Sequence, residues 1–180
     1  MTPHCSYSRM PPEKFRLFVD LGILTVPEGY DPTSHLELFQ KNHRIELQGY
    51  NCEINDVNFS NPSRILNPGD KLWVRGHKQV VPGTTTPDEC LAFLSGLNSH
   101  YTGAQGATLV YEQKRDQLPR GFRYLSLDEK NRLWKDAISS RRVPEMDVGW
   151  HGEYCIYLSY FEEMCSTNAV ILSFCDPPNV

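Results

Sequence analysis

The chain is short of most local patterns from which a function is read. No GxxxxGK followed by Ser or Thr occurs, so a Walker-type phosphate loop is excluded. HExxH and CxxC are missing too, which removes the compact zinc signatures. No apolar run approaches the roughly 18 residues of a membrane-spanning helix, and the start MTPHCSYSRMPPEKF carries no apolar core of a secretion signal, so the expected location is the cytoplasm, with no membrane partner. Excess positive charge is lacking: 18 Lys and Arg stand against 22 Asp and Glu, a formal net charge of −4. That balance argues against nucleic acid as the main partner. The six cysteines, at positions 5, 52, 90, 155, 165 and 175, are too widely spaced for a secreted disulfide framework, and free buried thiols are expected.

What remains is an ordinary globular composition, 39% apolar and 22% charged over 180 residues. Residues 1–10 are expected to be a flexible N-terminus, 11–60 a helical N-terminal part, 61–176 an α+β core domain and 177–180 a tail, with a single domain throughout as the alternative. PPEKFRLFVDLG reads as a short helix, with Phe15, Phe18, Val19 and Leu21 at helical spacing and Gly22 in the left-handed position that ends a helix. Ile23 to Val26 is a short β-rich piece. A second helix is expected from Asp31, a candidate N-cap before Pro32, through Leu36, Phe39, Gln40, His43 and Leu47 to Gly49. Residues 50–68 read as an irregular connector with an extended stretch from Ile54 to Phe59.

Asn67-Pro68-Gly69-Asp70 predicts a turn and KLWVRGHKQVV a strand, in which Trp73, Arg75, His77 and Gln79 alternate with Leu72, Val74, Lys78 and Val80. One of those faces must be solvated. TTPDECLAFLSGL predicts a helix, capped by Thr86 with Glu89 completing a capping box, whose Cys90, Phe93, Leu94 and Leu97 form one buried stripe. TGAQGATLVYEQKRDQLPRG suggests a phosphate loop or a GxxG backbone clamp for RNA. The first fails because Ala107, Thr108 and Leu109 follow Gly106, and the second is poorly served by the neutral Ala104 and Gln105. A β-hairpin fits better, with Thr108 to Gln113 β-branched and aromatic, LPRG as the turn, and Phe122, Tyr124 and Leu125 restarting a strand. Its rival is a helix, because Ala107, Val110, Tyr111 and Lys114 also keep helical spacing. Ser126 to Glu129 is a second capping box, opening a helix over LDEKNRLWKDA. YCIYLSYF and AVILSFC, joined by EEMCSTN, predict two antiparallel partners that would bring Cys155 toward Phe174 and Cys175.

Candidate chemistry must be assembled from scattered residues. Cys90, early in a capped helix, is the sharpest nucleophile, since a helix N-terminus lowers a thiol pKa; as part of a buried stripe it would instead be inert. His77 is a candidate partner for that thiol, or for Glu112 in a carboxylate–histidine pair. Lys114, Arg115, Arg120 and Arg123 surround the expected hairpin turn as a basic tip for a phosphate or an acidic partner, or as solvated charges paired with Asp116 and Glu112. Trp73 offers a flat binding surface if it is not core. His35 and His43 flank Phe39 eight residues apart, without the tight clustering of metal ligands; no metal and no cofactor are expected.

From GDKLWV through VPGTTTPDECLAFL, TGAQGATLVYEQKRDQLPRG and LDEKNRLWKDA to AVILSFCD, the chain resembles a group of small uncharacterised bacterial proteins. The resemblance implies a shared architecture and a bacterial origin, and it transfers no functional residue. The expected fold is α+β: a mainly antiparallel sheet from about 70–81, 107–127 and 153–176, with helices near 87–98 and 127–138 packed on one face and a small helical N-terminal part. The expected function is a soluble binding module for a protein or small ligand, through the sheet's open face or the basic tip. The alternative is a hydrolase of unfamiliar design using a Cys–His or carboxylate–His pair.

Overall fold

Six strands make one mixed sheet in the computed structural model of the chain, which describes residues 14–43 and 53–178. They are Phe15–Thr25 (β1), Lys71–Gln79 (β2), Phe122–Leu125 (β3), Arg142–Val148 (β4), Tyr154–Tyr160 (β5) and Ala169–Cys175 (β6). Their order across the sheet is β1-β2-β6-β3-β4-β5, and every pair is antiparallel except β3 with β6. Among the described residues three α-helices accompany them: His35–Asn42 (α1), Pro87–Gly96 (α2) and Gly103–Lys114 (α3). The expected flexible segment 1–10, the end of the second helix and start of the connector at 44–52, and residues 179–180 of the tail lie outside the described residues.

Alternation along the strands divides the core in two. Val74, Tyr124, Met146, Val170 and Leu172 join α1 and α3 in one hydrophobic cluster, whereas their neighbours Leu125, Val143, Ala169 and Ile171 join Cys90 and Leu94 of α2 in another. The sheet therefore has helices on both faces, not on one as expected. A strand side chain and its successor point to opposite sides, so each core strand needs cover on both.

Five sequence expectations along the chain change. The first helix is strand β1: its residues pair with β2 through two register shifts, between Leu17 and Val19 and between Asp20 and Gly22, which break the period-2 pattern and imitate helical spacing. The expected helical N-terminal part is thus partly an edge strand of the common sheet. The hairpin over 107–127 is helix α3 followed by a 3₁₀ turn, Arg115–Gln117, and only its second arm is a strand. The helix over 127–138 is a loop: Ser126 N–H donates to the Pro144 carbonyl and Glu129 N–H to the Ser63 hydroxyl, so the would-be cap is spent on tertiary contacts. Finally, β5 and β6 are not neighbours. Cys155 lies opposite Asp147 and Cys175 opposite Trp73, on strands separated by β3 and β4. The stretch 54–59 is a series of bends and turns, and not extended.

The helix α2 forms as read. Thr86 Oγ1 accepts from Glu89 N–H and the Glu89 carboxylate accepts from Thr86 N–H, with Lys14 paired to that same carboxylate. By contrast α1 starts at Ser34 without a side-chain cap of its own. Asp31 turns the chain just ahead of it, and the remote Asp56 carboxylate accepts from Leu36 N–H at 3.2 Å and Glu37 N–H at 2.8 Å.

Candidate functional site

On the α2 side of the sheet, β2 presents Trp73, Arg75, His77 and Gln79. The last two are buried; Trp73 and Arg75 are half-exposed. Register places Asp20 of β1 opposite Arg75, and its carboxylate gathers three donors: Trp73 Nε1 at 2.6 Å, Gly22 N–H at 3.0 Å and Arg75 Nε at 3.2 Å. Burial, the largest single influence, pushes the Asp20 pKa up, but the three bonds and the guanidinium charge together outweigh it and hold Asp20 below the usual carboxylate range. The Arg75 guanidinium stacks 3.8 Å from the centre of the Trp73 ring. Carboxylate, indole and guanidinium thereby fix one another, and the indole stands in a defined plane.

That plane divides two hollows. One, of ≈ 460 Å³, is walled by Ile23, Trp73, Pro177 and Pro178, with Lys71 and Asp20 at its polar edge. The other, of ≈ 250 Å³, lies between Trp73, Arg75, Leu97, Ser173 and Asp176, with His77 and Cys175 in its floor. Trp73 and Pro178 line both. In the second, His77 Nε2 lies 2.9 Å from Ser173 Oγ, and its ring meets Phe93 of α2 edge to face. Burial, aided by the Arg75 charge, pulls the His77 pKa down to about 4, so the imidazole is neutral near pH 7. Ser173 is 1% exposed. At the rim, His100 Nε2 contacts Asp176 Oδ1 at 2.8 Å.

The residues singled out in the sequence do not converge. Cys90 is fully buried and its thiol contacts Cys165, 3.4 Å away, while the partner of His77 is Ser173. Glu112 is on α3, across the sheet from His77, and its carboxylate lies 3.7 Å from His43 Nε2. Burial raises the Glu112 pKa. Nor do the four basic residues share one tip. Lys114 ends α3; Arg115 lies over the Tyr111 and Tyr154 rings at 4.9 and 5.9 Å; Arg120 packs beside Gly152. Arg123, on β3, forms a two-pronged ion pair with the wholly buried Glu145 and donates to Ser159 and Ser166 hydroxyls at 2.9 Å each. It is a structural pair of the sheet's β3–β5 half. Among the described residues, no group of three or more His, Cys, Asp or Glu side chains is arranged to hold a metal ion, and no helix is long and apolar enough to cross a membrane.

Of the residues named beforehand, Trp73 and His77 therefore line the hollows, and their period-2 alternation had put them with Arg75 on one face. Asp20, Ile23 and Ser173 were missed. Asp20 falls in the segment whose helical spacing hid the strand, Ile23 opens the short β-rich piece read after it, and Ser173 reaches His77 only through the β2–β6 register, a long-range pairing with no local trace. No protein-family model, curated protein or solved structure matches the chain.

Proposed function

We propose that the protein is a binding module that seats a small ligand, or the side chain of a protein segment, on the Trp73 indole. The supporting observation is the immobilised indole between two open hollows: Asp20 and Arg75 set its plane, while Ile23, Pro177 and Pro178 add apolar walls. A volume of ≈ 460 Å³ falls in the small-molecule range, and predominantly apolar walls with a few placed polar groups are what such sites have. Lys71 at the edge favours a ligand with a planar apolar body and an anionic group.

A fragment library of aromatic carboxylates, followed by amide and indole NMR shifts, tests this. Shifts are expected at Ile23, Trp73 and Cys175, with Trp73→Ala weakening the best fragment by about ten-fold or more, the loss typical of a buried aromatic anchor. Binding elsewhere, or unchanged binding by Trp73→Ala, would refute the assignment.

The 2.9 Å His77–Ser173 contact favours a second reading, acyl transfer through Ser173 with neutral His77 as base. Burial of Ser173, and a second acceptor for its hydroxyl in the Arg75 carbonyl at 3.4 Å, weigh against it. Labelling of Ser173 by a fluorophosphonate would establish this reading. Absence of label, on protein that still binds fragments, would remove it.

A further inference from the structure

We infer that Cys90 and Cys165 form a peroxide-sensitive dithiol site, with Cys165 the sulfur oxidised first and Cys90 the sulfur that resolves it into a disulfide. The two Sγ atoms are 3.4 Å apart although the residues are 75 positions apart in the chain. Sulfur–sulfur bonding needs about 2.05 Å, so closure asks for little more than an ångström of movement.

Both sulfurs are held in place. Cys90 N–H donates to the Thr86 carbonyl at 3.1 Å inside the capping box of α2. Cys165 lies between Met164, fully buried, and Ser166, whose N–H donates to the Met164 carbonyl at 3.0 Å and whose hydroxyl accepts from Arg123. Access differs between the two. Cys90 is fully buried and Cys165 half-exposed, so a small oxidant reaches Cys165.

Their chemistry is complementary. The contact between the two sulfurs lowers the Cys165 pKa and, together with burial, raises that of Cys90, so Cys165 is the thiolate of the pair and Cys90 the thiol. The same protein carries its own comparison: Cys155 and Cys175 are also half-exposed, but burial raises both pKa values, joined at Cys155 by the Asp147 and Glu153 carboxylates and only partly opposed at Cys175 by the Arg75 charge. Among the described residues, neither has a sulfur neighbour.

In the reaction, the Cys165 thiolate attacks one oxygen of a peroxide ROOH. The O–O bond breaks, RO⁻ takes a proton and leaves as ROH, and Cys165 becomes a sulfenic acid. Cys90 Sγ then attacks that sulfur; the S–O bond breaks, and the departing hydroxide combines with the Cys90 proton as water. Two thiols lose two electrons, and the peroxide gains them. The new bond ties α2 to the segment that leads into β6.

The test is hydrogen peroxide treatment of the folded full chain, then denaturing alkylation, non-reducing digestion and mass spectrometry of all six cysteines. A Cys90–Cys165 linked peptide is expected, lost on thiol reduction and formed about ten-fold faster than oxidation of Cys155 or Cys175. Cys165→Ser should abolish the link and leave Cys90 reduced, and Cys90→Ser should leave Cys165 as a dimedone-reactive sulfenic acid. The inference is overturned if Cys165 in the unmutated protein oxidises no faster than Cys155, if it accumulates as sulfenic acid without the link, or if the link forms as fast in urea-unfolded chain. Because these readouts come from the unmutated protein, failure of a Cys90 variant to fold does not blunt the test.

Discussion

Gly103 and Gly106 of TGAQG sit where a side chain has no room. A Cβ on Gly103 would collide with the Asp128 carboxylate, and Gly103 also holds φ +46°, which L side chains rarely adopt. A Cβ on Gly106 would meet Thr102 and stand 2.9 Å from the Phe174 ring of β6. The pair is thus explained by close approach of α3 to its neighbours and not by a ligand. Gly106→Ala is expected to destabilise the protein by about 1–3 kcal/mol through overpacking, seen as a lower denaturant midpoint with an unchanged slope. Gly22 makes a related point. Its positive φ, +67°, was legible in the sequence, but the same backbone state serves a helix C-terminus and a β-bulge, and only pairing with β2 chose the bulge.

Elements whose determinants are local were legible, and α2 is the clearest. Its cap, its first-turn proline and its buried Cys90 and Leu94 lie within a few residues of each other, so nothing distant was needed to predict it, although Phe93 and Leu97 of the expected stripe are only half-buried. Thr86→Ala should cost about 1 kcal/mol of stability in denaturant titration, because the Glu89 N–H loses its side-chain acceptor. Helix α3 was legible only as the rival to a hairpin, for the opposite reason. Residues Gly103 to Tyr111 are all buried, so the helix has no polar face and no amphipathic period to announce it. Its β-branched and aromatic residues then imitate a strand. The Ser126–Glu129 box misled in another way: Ser126 closes β3, its hydroxyl 3.3 Å from that of Thr102, and long-range partners outweigh a cap worth about 1 kcal/mol.

At the scale of the whole molecule, burial of two neutral histidines sets a pH response. His77 and His35, the latter 2.9 Å from Thr108 Oγ1, each have a pKa pulled down to about 4, chiefly by burial. The Thr108 hydroxyl donates to helix carbonyls, so it accepts from His35 Nε2–H, while burial disfavours the charged ring. Unfolded histidine titrates near 6.5, so between about 6.5 and 4 the unfolded chain binds more protons and stability falls as pH falls. The loss reaches on the order of 3 kcal/mol per histidine at the low end of that window. Asp128 and Glu112, raised by burial, work in the opposite sense just above the ordinary carboxylate range. Urea unfolding of the unmutated protein and of His77→Gln between pH 7 and pH 4.5 separates the two: the variant should show the shallower decline.

By itself the sequence determined the α+β class, strand β2 with its alternating faces, helix α2 and the strand character of 154–160 and 169–175, since periodicity and caps act over a few residues. Tertiary structure alone decided strand order, which face each helix covers and which side chains meet. The insertion of β6 between β2 and β3 brings Ser173 to His77 and separates Cys155 from Cys175, while the packing of α2 against the β5–β6 segment brings Cys90 to Cys165. Such contacts depend on pairing register and on burial between residues 75 or more positions apart, and no local pattern encodes that.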